Sequence, residues 1–115
     1  MTPAAAIAMI DRQLAAHGQT VTLQRMEGET VAQTATVPAF VRGFEPRELV
    51  NGITQDDAKV ILSPTGLAGW DSGGEDPIVP TADNDMVIAG RVRRIIAAVG
   101  IRMADQVVRI ECAVR

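Results

Sequence analysis

Residues 85–115, DMVIAGRVRRIIAAVGIRMADQVVRIECAVR, decide the fold. Val87, Val92, Ile96, Ala98, Val108, Ile110, Cys112 and Val114 fall mostly at two-residue spacing. That is the period of a strand with one face on a core, and the stretch is long enough for three consecutive strands. Gly90 after Ala89 marks the first turn. Alanine resists positive φ at the first turn position, so the expectation is a type II turn or a Gly bulge rather than a type I′ turn. A looser second turn is expected near Gly100 to Asp105.

Working backward, Pro64 to Asn84, PTGLAGWDSGGEDPIVPTADN, has no period in either template and holds the single Trp of the chain. A loop this long inside a compact domain is uncommon and is usually functional or disordered. Two readings stay open here: an assembly loop that orders on binding, or a covering flap with Trp70 docked on the core. Asp83, Asn84 and Asp85 resemble the start of a calcium loop but lack the glycine and the distal glutamate, so a solvated turn is expected. Ala58 to Ser63, AKVILS, reads as a strand with Val60 and Leu62 on one face and Lys59 and Ile61 on the other. Glu45 to Asp57 carries Pro46, Asn51-Gly52 and charges around Leu49, Val50 and Ile53, an excursion with room for a short helical turn. Few periodic apolar residues anchor these two irregular stretches, so both are expected to open at little cost.

Thr34 to Phe44 is a β-branched and aromatic segment that Pro38 restricts to an edge or a bulge. Gln19 to Met26 alternates Val21 and Leu23 against polar residues, the pattern of a half-exposed strand, and Glu27-Gly28-Glu29 turns it. Ahead of it, Thr2-Pro3 is a helix opening, with a hydroxyl at the N-cap and a proline at the first helical position. The helix is expected to about Ala16. Ile7, Ile10 and Leu14 form its apolar stripe, and Gly18 suits a left-handed C-cap. The whole is one mainly β domain: a helix at about 2–16 packed outside a small antiparallel β-barrel at about 19–115, with long irregular loops.

At 115 residues, 47% hydrophobic and 22% charged, the chain can bury a core without metal or disulfide support. No apolar run approaches the roughly 20 residues of a membrane span, so no membrane role is expected. Met1 to Ala16 is Ala-rich, but it has no basic n-region and Asp11 and Arg12 interrupt it, so it does not read as a signal peptide. A net charge of −3, one Trp, two Phe and no Tyr argue against general nucleic-acid affinity and against a base-stacking platform.

The residue types also say little for catalysis. Ser63 and Ser72 share a single histidine, His17, whose place in the last helical turn suits the helix dipole. Lone Cys112 sits in a strand pattern as a small hydrophobe, which fits a reducing cytoplasm. No phosphate loop, Cys/His metal set or cofactor signature is present, so neither an enzyme nor a cofactor is expected. Arg91, Arg93 and Arg94 form the dense basic cluster, with Arg91 and Arg93 on the opposite strand face from Arg94. It is either a solvated surface that discourages stray strand pairing or an acid-pairing face in an oligomer.

The order of elements, with NGITQDDAKVILSPTGL, DMVIAGRVRRIIAAV and a terminal strand ending in AVR, resembles the small head-tail connector proteins of tailed bacteriophages, of the head-completion or stopper type. The resemblance spans most of the chain. It is carried by Gly52-x-x-Gln55-x-Asp57 leading into a strand that ends in Ser63-Pro64, by Asp85-x-x-x-x-Gly90-Arg91, and by Val114-Arg115. It implies a barrel with a helix outside, assembled with itself as a ring of about six subunits that closes by rotation. Such a ring sits in the virion neck, made in the host cytoplasm, between portal or adaptor and tail proteins. Packaged DNA passes through it without specific binding and is retained by a loop. The candidate assembly or channel loops contain Leu49, Val50 and Ile53, then Leu67, Trp70 and Ile78; the candidate intersubunit charge face is Arg91, Arg93 and Arg94. A tail terminator, which should show more α/β alternation, and a stand-alone β-barrel binding module, which should show a preformed apolar pocket, are the other readings.

Overall fold

Thr2 begins the helix as its side chain allows. In the computed structural model, which describes residues 1–44, 47 and 57–115, the Thr2 hydroxyl accepts a 3.1 Å hydrogen bond from the Ala5 backbone N–H. Pro3 fills the first helical position, where its missing N–H removes no intrahelical bond. Helix α1 spans Pro3–His17; Ile10 and Leu14 are buried, Ile7 is half-buried, and this stripe lies against the second and sixth strands. The C-cap differs from expectation. Gly18 is extended, at φ −84° and ψ 176°, and not left-handed. A Cβ there would lie 2.5 Å from the Leu14 carbonyl oxygen and 2.8 Å from that of Ala39. Glycine is thus required by close backbone approach, and the chain passes straight from α1 into the barrel.

Among the described residues six strands follow: β1 Gln19–Glu27, β2 Thr30–Gly43, β3 Ala58–Leu62, β4 Asn84–Ile88, β5 Arg91–Met103 and β6 Gln106–Val114. They close into an antiparallel barrel in the order β1-β2-β3-β6-β5-β4. The fold is the small β-barrel with an outer N-terminal helix that the alternation suggests. Val21, Leu23, Val60, Leu62, Met86, Ile95, Ile110, Cys112 and Val114 fill its interior. Pro38 sits where β2 pairs only with β1, since the ladder to β3 starts at Ala39. That one-sided pairing gives proline the edge position it needs.

Both turns in the C-terminal stretch differ from expectation, the first in type and the second in being tight. Ala89 (φ 51°) and Gly90 (φ 78°) join the paired residues Ile88 and Arg91, and positive φ at both is the type I′ signature. Ala104 (φ 50°) and Asp105 (φ 64°) do the same between Met103 and Gln106. Gly100 lies inside β5, paired with Ile110, and is no part of the turn. The twist of two paired strands joined by two residues favours a primed turn, and the ladders hold alanine in a left-handed conformation costing it about 1–2 kcal/mol.

Between β3 and β4 runs the irregular stretch. Leu67 is fully buried and Trp70 is 3% exposed, both within the core cluster, with Ile78 and Val79 half-buried against it. The stretch is therefore a covering flap. Leu67 and Trp70, two of the candidate assembly-loop residues, have their side chains inside the protein. The stretch also carries backbone bonds of its own: Leu67 N–H donates to Pro64 O, Trp70 N–H to Leu67 O, and Ser72 N–H to Pro77 O, at 2.9–3.1 Å. Irregular backbone has no period, so two spaced apolar residues give no sequence signal although they suffice to dock it. Leu49, Val50 and Ile53 lie outside the described residues, as does most of the Glu45 to Asp57 excursion.

Candidate functional site

The flap is tied to both long hairpins. On the β2 side the Gln33 amide donates to the Gly69 carbonyl and accepts 3.1 Å from the Asp71 N–H. On the β5 side Arg102 pairs with Asp76 and also donates 3.0 Å to the Asp105 carbonyl. Thr65 reaches α1 through a 2.7 Å hydrogen bond from its hydroxyl to Asp11 Oδ2. Asn84, expected in a solvated turn, is 1% exposed and closes the flap's far end. Its Oδ1 accepts 2.8 Å from Thr81 N–H and its Nδ2 donates 3.1 Å to the Ser72 carbonyl. Sequence reading missed this residue because the partner twelve positions away is brought near only by the folded flap. The Trp70 indole N–H is buried and has no hydrogen-bond partner among the described residues.

A second constellation joins the start of β3 to the end of β6. The buried Asp57 carboxylate accepts from Arg115 Nε at 3.0 Å and from Nη2 at 3.1 Å. Backbone bonds between Arg115 and Arg94 in both directions, 2.8 and 3.0 Å, extend that corner to β5. The hydrogen bonds it donates to Asp57, then the Asp57 charge, hold the Arg115 guanidinium above its ordinary pKa. Outside the same strands Glu111 is bracketed by Lys59 at 3.1 Å and Arg109 at 3.3 Å.

The basic cluster alternates as expected. Arg91 and Arg93 stand opposite Ile88 and Met86, both buried, whereas Arg94 stands opposite Asp85 on the other face. Arg91 and Arg94 are exposed and Arg93 is half-buried. Cys112 is 2% exposed, and burial followed by the Glu111 charge pushes its thiol up to about 12. His17 is exposed at the end of α1.

Three grooves lie on the surface of the described residues. One of about 460 Å³ runs between the flap and β5 past Asp76, Val79 and Arg102. Another, about 260 Å³, lies along Phe44, Lys59, Val99 and Glu111. A third, about 300 Å³, lies between the end of β1 and the flap, lined by Glu27, Asp83 and Asn84. No group of three His, Cys, Asp or Glu that could hold a metal occurs among the described residues. No family model, curated protein or solved structure matches the chain.

Proposed function

We propose that the chain is a structural ring component of a tailed-phage neck, joining head to tail and retaining packaged DNA. It works by shape and assembly. Fold alone does not imply function, so the reading rests on where the connector-like motifs fall in the barrel. Asp57, the end of the Gly52-x-x-Gln55-x-Asp57 motif, clasps Arg115 of the Val114-Arg115 motif across 58 positions of sequence. Gly90-Arg91 forms the end of the β4/β5 turn, and Ser63-Pro64 begins the flap. The motifs behind the resemblance are thus the ones that join β3 to β6, turn β4 into β5 and start the flap, which supports a shared barrel design. The all-antiparallel sheet and single helix among the described residues favour the stopper reading over a tail terminator.

The test uses DNA-filled heads that carry portal and adaptor but no tails. Binding at ring stoichiometry, DNA retention and subsequent tail joining are expected. A folded protein that fails to bind the heads of its own phage refutes the stopper role, and binding to tail tubes instead transfers the ring to the tail side. A chain that binds neither loses the neck assignment, and ligand occupancy of an apolar pocket would then favour a stand-alone module.

A further inference from the structure

Two hairpins at opposite ends of the β1/β4 ladder carry opposite charge, and each exposes one valine. The β1/β2 hairpin has exposed Glu27 and Glu29 with Val31 at 43% exposure. The β4/β5 hairpin has exposed Arg91 on one face and, on the other, Val92 at 58% exposure with exposed Arg94, whose cross-strand neighbour is the half-buried Asp85. Register separates them. Val21 pairs with Ile88, next to the β4/β5 turn, while Arg25 pairs with Asn84, so Glu27 lies about six residues, or roughly 20 Å, further along β1. At that spacing the two tips are beyond mutual screening distance at ordinary salt and do not neutralise each other within one chain.

We infer that these ends meet between copies: the Arg91, Val92, Arg94 hairpin of one subunit docks on the Glu27, Glu29, Val31 hairpin of the next. This deepens the ring reading and rests on it. A head-to-tail ring needs two different complementary surfaces on each subunit, and these differ in the required sense. The groove beside Glu27, about 300 Å³ and also lined by Asp83, gives the two-residue Ala89-Gly90 tip a recess with negative charge at its rim. Arg25, the cation of that groove, already lies 3.9 Å from Asp71. Val31 against Val92 supplies the apolar contact, and the charges set orientation and encounter rate.

Sedimentation velocity on the full chain, from micromolar to about 1 mM and at low and high salt, tests it. The wild type should self-associate at low salt and weaken at least about tenfold at high salt. Reversing one face, with Glu27→Lys and Glu29→Lys or with Arg91→Glu and Arg94→Glu, should cost each chain about tenfold or more. An equimolar mixture of the two reversed chains should associate again, because every contact in an alternating assembly is then matched. The milder pair Glu29→Gln and Arg91→Gln should each weaken association without reversing it. Reversed chains that associate as well as wild type overturn this contact and leave the ring reading standing. A wild type that stays monomeric throughout also overturns it. Heads that fail to bind the protein remove the neck assignment without touching the contact.

Discussion

The Arg115 guanidinium holds the Asp57 carboxylate through two hydrogen bonds of 3.0 and 3.1 Å, joining the end of β6 to the residue before β3. The Asp57 side chain is fully buried and that of Arg115 is 58% exposed, so the aspartate is the partner with more to lose. Asp57→Ala should lower stability by about 1–3 kcal/mol, seen as a lower urea midpoint. Adding Arg115→Ala to that variant should cost little more, because the two residues act as one unit. Full additivity of the two losses would show that the pair does not couple.

Gly18 is fixed by contact rather than by dihedral angle. Its φ of −84° is open to any residue, yet a Cβ would meet two backbone oxygens, of Leu14 and Ala39, at 2.5 and 2.8 Å. Neither oxygen belongs to a side chain that can swing away. Gly18→Ala should therefore destabilise by about 1–3 kcal/mol, by parting α1 from β2. A conformational-entropy argument alone expects the opposite sign, so thermal unfolding of this one variant separates the two accounts.

The flap should behave as core. Leu67→Ala should cost about 2–5 kcal/mol and Trp70→Ala about 3–5 kcal/mol, comparable to truncations inside the barrel. Trp70→Phe should cost much less than Trp70→Ala, since the indole N–H it discards has no partner among the described residues. As the single Trp of the chain, Trp70 should emit at short wavelength and resist iodide quenching in the native protein. Hydrogen exchange should show protection at the Leu67, Trp70 and Ser72 amides, which are bonded within the flap. Rapid exchange there would mean that the docked flap opens readily.

How far the sequence could be read follows from how local each cause is. Strand alternation exposes Val60/Leu62 and Ile110/Cys112/Val114 directly, because side-chain direction has a period of two wherever the partners lie. The Thr2-Pro3 opening is equally local and stands as expected. The turns at Ala89 and Ala104 are not local: paired strands on either side impose a conformation that alanine by itself disfavours. Gly18, Asn84 and the Asp57–Arg115 pair depend on atoms 12 to 58 positions away or on a neighbouring strand, and no spacing rule reaches them. The charge alternation of Arg91, Arg93 and Arg94 was legible, whereas the acidic hairpin opposite in character became apparent only once register placed it at the other end of the ladder.

Cys112 predicts a pH effect with a definite sign. Burial raises its folded thiol from an ordinary 9.0 to about 12, so above pH 9 the unfolded chain releases a proton that the native chain keeps. The unfolded state then binds fewer protons, and stability falls as pH rises through this window. Its contribution is fully present below pH 9.0 and declines toward pH 12. Cys112→Ala, itself costing about 1 kcal/mol at neutral pH, should flatten that alkaline decline. The native thiol should also resist alkylation at pH 8 and react once the protein is unfolded in urea, because the nucleophile is the thiolate. An unchanged alkaline slope in the alanine variant would place the pH dependence elsewhere.

Ala89 and Ala104 give the remaining prediction, and it is a gain of stability. Both occupy the first position of a two-residue turn at φ near 50°, where an L-residue with a Cβ crowds the following carbonyl at a cost of about 1–2 kcal/mol. Asparagine tolerates this region better, since its short polar side chain can bond to the local backbone, and Asn-Gly is a favoured type I′ pair. Ala89→Asn creates that pair with Gly90. Ala104→Asn places asparagine before Asp105, which already holds φ 64°. Both alanines are exposed, so neither change removes packing. Each should stabilise by about 0.5–1 kcal/mol, and the two should add, because they lie in separate turns without shared partners. Ala104→Asn is the cleaner test, being outside the hairpin proposed to meet a second copy. A loss of thermal stability in Ala104→Asn would mean that the turn is not held in the primed conformation, and the β5/β6 register that depends on a two-residue connection would have to be redrawn.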